Sequence, residues 1–154
     1  MNILRTEIET AAPDIIFSII EPSSAVAMWP KIEHFADRAL AFAFDGMKTE
    51  DLLNWIVTDR LILVVMTRDE EIIASMTLEI VEQEHEKICH CLTFAGDDLD
   101  SWIEQWLDIW ETIARELGCQ KITIKGREGW ARYARRHGFQ HMYTSMFRDL
   151  REVH

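Results

Sequence analysis

Cysteine is too scarce and too awkwardly spaced in this chain to staple it. There are three in 154 residues, and Cys89 and Cys91 stand only two apart. An odd count at that spacing excludes a disulfide framework and suits a reducing cytosol, so a cytoplasmic protein is expected. No apolar run reaches the roughly 18–20 residues that span a bilayer, so no membrane span is expected. The opening MNILRTEIET alternates polar and apolar residues, which is not the pattern of a signal peptide. Glycine and proline number only six and three, and no repeat, linker or low-complexity tract stands out. P-loop, Rossmann and Ser-His-Asp signatures are missing as well.

Positive charge is also in short supply: 16 Lys and Arg face 27 Asp and Glu, a net of −11. The deficit is uneven. From Cys119 onward eight basic residues meet three acidic ones, +5, which leaves eight against 24, −16, over residues 1–118. Such a body is a poor partner for duplex DNA or an anionic membrane, and no direct nucleic-acid binding is expected. The basic last quarter could meet an anion, or its cations could face the acidic remainder.

Apolar residues make up 48% of the chain. That excludes a disordered acidic protein and allows one domain over residues 1–154 with a sizeable core. Residues 13–20, PDIIFSII, form an apolar run that predicts a first strand, broken by Glu21-Pro22-Ser23-Ser24. Trp29-Pro30 is expected to open a helix, with proline where its missing N–H costs nothing. Ile32, Phe35, Ala36, Ala39 and Ala43 recur at helical spacing until Gly46. A shorter helix is expected from Thr49, with Glu50 and Asp51 at its anion-favouring end.

The period then changes to two. Leu61–Thr67, Ile72–Ile80 and Ile88–Ala95 read as three strands in a meander, turned at residues 68–71 and 82–87. Ser101-Trp102-Ile103-Glu104 has the S-x-x-E form of a capping box. The helix behind it, to Leu117, carries Trp102, Trp106, Trp110 and Ile113 on one stripe, a spacing that argues for core packing over an aromatic cage.

The most informative stretch is GCQKITIKGREGWARYARRHGF, Gly118–Phe139. It reads as a helix end at Gly118, a strand over Cys119–Lys125, a short basic helix over Glu128–His137, then Gly138-Phe139 leading into a last strand. The predicted order is β-α-α-β-β-β-α-β-α-β. That order and the closing Gly-Phe resemble the GNAT superfamily, the acyl-CoA-dependent N-acetyltransferases, over essentially all of residues 13–150. The resemblance implies an α+β fold: a mixed, mostly antiparallel sheet with helices on both faces. The G-R-x-G-W turn at Gly126–Trp130 is also similar to small GNAT-like proteins of tailed bacteriophages, which implies a host cytoplasm or virion location.

The resemblance implies where a site would lie. Acetyl-CoA, the implied cofactor, would sit beside Phe94, Ala95 and Gly96, with Ser101, Arg127 and Arg132 toward its phosphates. Active members carry R/Q-x-x-G-x-G/A after the fourth strand, because glycines and a helix N-terminus bring N–H groups to the pyrophosphate. This chain has Gly96-Asp97-Asp98-Leu99-Asp100-Ser101 instead. Asp98 falls near the basic position, and Leu99, Ser101 and Ile103 near the small ones. A pyrophosphate about 4 Å from a carboxylate costs roughly 1 kcal/mol in water and about 4 at a surface-like dielectric. The helix end returns only about 0.3–1 kcal/mol. Repulsion wins unless Arg127, Arg132, Arg135 or Arg136 comes close.

The family's thiolate-protonating tyrosine would sit four residues before Gly138, where this chain has Ala134. Tyr133 is one position off, about 100° around the helix, and Tyr143 is a further candidate. Glu79 and His90, on the central strands, are the candidate bases; the bland reading makes Glu79 exposed and His90 a hydrogen-bonded core residue. Cys89 and Cys91 point away from His90 on a strand, so those residues with His85 do not converge on a metal.

Three functions remain open. One is a divergent GNAT-fold module that has lost catalysis and takes a protein partner. Another is an active N-acetyltransferase with an amine acceptor. A third is an acidic mimic of nucleic acid.

Overall fold

The computed structural model describes residues 6–8, 14–41, 46–125, 134–142, 146, 148 and 150–151. Residues 1–124 form one compact unit and residues 125–154 another.

In the first unit six strands form one sheet in the order β1 to β6. They are β1 (Thr6–Ile8), β2 (Ile15–Ile20), β3 (Ile62–Arg68), β4 (Glu71–Glu82), β5 (Lys87–Gly96) and β6 (Lys121–Ile124). Every neighbouring pair is antiparallel except β5 with β6, which is parallel. Three helices complete it: α1 (Pro22–Leu40), α2 (Thr49–Val57) and α3 (Ile103–Glu116). The mixed, mostly antiparallel α+β architecture expected from the sequence is therefore present. β1 was not anticipated, because three residues carry too little pattern to read.

Two cores lie on opposite faces of the sheet. Ala25, Trp29, Ile32, Phe35 and Ala36 of α1 and Leu52 and Ile56 of α2 cluster with Ile20, Leu63 and Val65. On the other face the tryptophan stripe of α3 is core, as expected. Trp102 and Trp110 are fully buried. Trp106 stacks on Phe94 at 4.2 Å and on Trp110 at 5.6 Å, and its indole N–H donates to Met76 Sδ at 2.9 Å.

The start of α1 corrects the sequence reading. The helix opens at Pro22, eight residues before Pro30, and runs through Pro30. Both prolines suit a first turn, so local rules could not choose between them. Burial of Ala25 and Trp29 extends the helix upstream and offsets the roughly 3 kcal/mol that an interior proline costs. The helix ends at Leu40, not Gly46. α2 begins at Thr49 as expected; Asp51 accepts the Lys48 N–H at 2.9 Å, and the Thr49 hydroxyl donates to Asp37 of α1.

Two glycines end their helices by the same device. At the end of α3, Gly118 has φ +78°; its N–H bonds Arg115 O and that of Cys119 bonds Ala114 O. In the second unit residues 134–136 are helical, Gly138 has φ +85°, and the N–H groups of Gly138 and Phe139 bond Arg135 O and Ala134 O. Both are Schellman caps, which require the left-handed conformation that glycine adopts without penalty. The Gly-Cys and Gly-Phe landmarks of the sequence thus have a backbone cause. The rest of the short basic helix lies outside the described residues.

Candidate functional site

β3 and β5 run in the same direction because β4 lies antiparallel between them. Their C-terminal ends therefore meet at one end of the sheet. There β5 passes into the loop Asp97–Asp98, a 3₁₀ turn at Leu99–Ser101, and α3. Gly96 closes β5 where a side chain would not fit: an added Cβ would lie 2.5 Å from Ala74 Cβ and 3.0 Å from the Trp102 ring. The Trp102 indole N–H donates to Asp97 O at 2.9 Å, which fills the space beneath the loop.

The loop carboxylates are held by two arginines from distant elements. Arg38 of α1 donates to Asp97 Oδ1 at 2.9 Å and to Gly96 O at 3.2 Å. Arg68, the last residue of β3, donates to Asp98 Oδ2 at 3.2 Å and to Ser101 Oγ at 3.0 Å. Its Nε lies 3.5 Å from Asp14 Oδ2. The Ser101 hydroxyl lies 2.8 Å from both the Asp98 carbonyl and carboxylate. That hydroxyl first, and Arg68 second, hold the Asp98 carboxyl below its ordinary range. Asp98 itself is in the left-handed region, φ +55°.

These bonds correct the expected capping box. Trp102 is the N-cap of α3 and no side chain caps the helix. Ser101 lies in the 3₁₀ turn and its hydroxyl is committed to Asp98 and Arg68. Two cations stand beside the loop that the sequence reading did not name. Arg38 and Arg68 do the holding; Arg127, Arg132 and Tyr133 lie outside the described residues, as does Tyr143.

Further down the sheet the other candidates do gather. Glu79 of β4 and His90 of β5 are direct register partners, a position that sets their Cβ atoms roughly 4.5–5.5 Å apart. His90 Nδ1 hydrogen-bonds Thr123 Oγ1 of β6 at 2.8 Å. Beside them the buried hydroxyls of Thr77 and Thr93 bond each other at 2.6 Å. Sequence reading missed Thr123, Thr77 and Thr93, which only the sheet register brings to this row.

A bulge explains a second correction. Leu78 pairs with Cys91 and Thr77 with Thr93, so Leu92 is an extra residue in β5. Alternation shifts by one beyond it. Unbroken alternation would put Phe94 on the side of His90; it instead stacks on Trp106 under α3. Ala95 packs toward the α1–α2 cluster.

The parallel β5–β6 ladder spans Ile88–Cys91 and Lys121–Ile124. β5 continues five residues further, to Gly96. Among the described residues the ladder ends at Cys91 and Ile124, one position beyond His90 and Thr123. The cysteines offer no nucleophile: burial pushes Cys89 up to about 12, against a hydrogen bond from Trp110, and raises Cys91 and Cys119 as well.

This fold is that of the GNAT acetyltransferases. An aminoglycoside acetyltransferase from an uncultured soil metagenomic sample, in complex with trehalose, matches with a TM-score of 0.66 at 11% identity, over 90% of this chain and 98% of that one. A predicted acetyltransferase from Clostridium acetobutylicum, with acetyl-CoA, matches at 0.66 and 13%, over 91% and 99%. A GNAT family acetyltransferase from Staphylococcus aureus matches at 0.61 and 15%, over 89% and 99%. No family model and no curated protein matches the sequence. The likeness is one of fold.

Proposed function

We propose that this chain is a single-domain, divergent GNAT-fold protein with little or no acetyl-CoA chemistry, serving as a binding or structural module for a protein partner. One observation carries the reading: the loop at the head of α3 presents carboxylates, paired with Arg38 and Arg68. Gly96 packs against Ala74 and Trp102 on the side where a side chain would project. The residues present do not fit a pyrophosphate, because two aspartates stand beside the N–H groups that would receive it. The acidic body of residues 1–118 favours a partner with a cationic surface. The G-R-x-G-W sequence at residues 126–130 is the ground for proposing a tailed-phage origin, with the protein in host cytoplasm or virion.

The pairing of Glu79 with His90 favours a second reading, an active N-acetyltransferase using acetyl-CoA and an amine acceptor. In that reading Glu79 and His90 are the bases and Tyr133 the acid. Phe94, Ala95, Gly96, Ser101, Arg127 and Arg132 line the cofactor.

The test is thiol release from acetyl-CoA in the presence of a panel of cationic amines. The expected result is no release above the protein-free rate. Turnover that disappears in Glu79→Gln or His90→Ala would replace the first reading with the second.

A further inference from the structure

We infer that Arg38 and Arg68 form an anion-binding pair that the chain keeps filled with its own Asp97 and Asp98 carboxylates. The inference rests on the reading of the loop as unfit for phosphate and adds why it is unfit and what would reverse it. Arg38 lies 59 residues from Asp97 in sequence and Arg68 lies 30 from Asp98. Each comes from a different element, yet both guanidiniums end on the six residues Gly96–Ser101. Each also makes two contacts there: Arg38 with Asp97 and Gly96, Arg68 with Asp98 and Ser101.

A guanidinium presents N–H groups in a planar fork that matches carboxylate and phosphate alike. The donors now spent on the two aspartates are the ones a phosphate would take, while Arg68 Nε stays beside the Asp14 carboxylate. The ligand class for the vacated pair is therefore a pyrophosphate or a phosphate ester, with negative charge for both guanidiniums. In the native chain that ligand must displace two carboxylates tethered next to the arginines. It must also approach their unneutralised charge once they are displaced. The aspartates thus act as an internal plug. Asp→Asn keeps their shape and removes their charge.

The experiment compares calorimetric binding of inorganic pyrophosphate and of CoA at low salt. The proteins are the native chain, D97N, the D97N/D98N double variant, and that double variant with R38Q and R68Q added. The double variant is expected to bind both ligands at least tenfold more tightly than the native chain, and the added glutamines to abolish the gain. The Asp97 side chain is 63% exposed, so D97N is expected to fold and to give part of the gain even if the double variant does not fold. Equal, weak binding by the native chain and every folded asparagine variant would overturn the plug while leaving the proposed function standing. A gain that survives R38Q and R68Q would overturn the arginine pair. Micromolar CoA binding by the native chain would overturn both the plug and the reading beneath it.

Discussion

Gly96 is the residue on which the end of β5 and the start of the loop before α3 depend. A methyl group there would lie within bonding-clash range of Ala74 Cβ and press on the Trp102 ring. Because Ala74 sits on the neighbouring strand, neither backbone can yield without breaking the β4–β5 ladder. We expect Gly96→Ala to destabilise the protein by about 1–3 kcal/mol, read as a lowered denaturant midpoint; an unchanged midpoint would show that the close approach is not built into the native state. The arginine contacts differ in kind. The Arg38–Asp97 pair is 50% and 63% exposed on its two sides, and such a pair contributes only about 0–1 kcal/mol. Its consequence lies in what it denies a ligand more than in stability.

The buried thiols make a residue-scale pH prediction. Cys89 rises from an ordinary value of 9.0 to about 12 in the fold. An unfolded chain therefore releases the proton first as pH climbs. The stabilising contribution is complete below pH 9 and is lost between about 9 and 12. Urea midpoints should fall across that window. Cys89→Ser is expected to lessen the fall, and a flat profile would contradict the burial argument.

At the scale of elements, the helix ends marked by Gly118 and Gly138 were legible in the sequence. Gly118 and Gly138 are both in the left-handed region, and open space surrounds the Cβ each lacks. The cost of a side chain there is purely conformational. Gly118→Ala should destabilise by about 1–2 kcal/mol, and Gly118→Asn by less, since asparagine tolerates that conformation. Equal losses for the two would point to a steric cause instead.

The tryptophan stripe of α3 and the three-strand meander were legible for the same reason: each is a period that the chain repeats. What escaped was whatever a period cannot carry. One extra residue at Leu92 separates Phe94 from the face of His90, and bulges leave no mark in an alternating run of apolar residues. Pro22 and Pro30 looked equivalent until tertiary burial chose between them. The Ser101-x-x-Glu104 pattern matched a capping box, yet Arg68, 33 residues away, competes for the same hydroxyl. Arg38 and Arg68 had no local motif. Only the common direction of β3 and β5 brings Arg68 beside Asp98.

Over the whole molecule, two cations that meet the acidic loop among the described residues come from α1 and β3, within the acidic part of the chain. The fold shared with the GNAT structures comprises the sheet order and the parallel β5–β6 pair, and aspartates with arginine partners stand at the head of α3. No helix among the described residues is long and apolar enough to cross a membrane.

The central claim is that this fold persists without its phosphate grip, and calorimetric titration of the native protein with acetyl-CoA at low salt tests it most directly. The account predicts no binding at millimolar ligand. Saturable micromolar binding would contradict it and make the chain an acyltransferase in search of its amine.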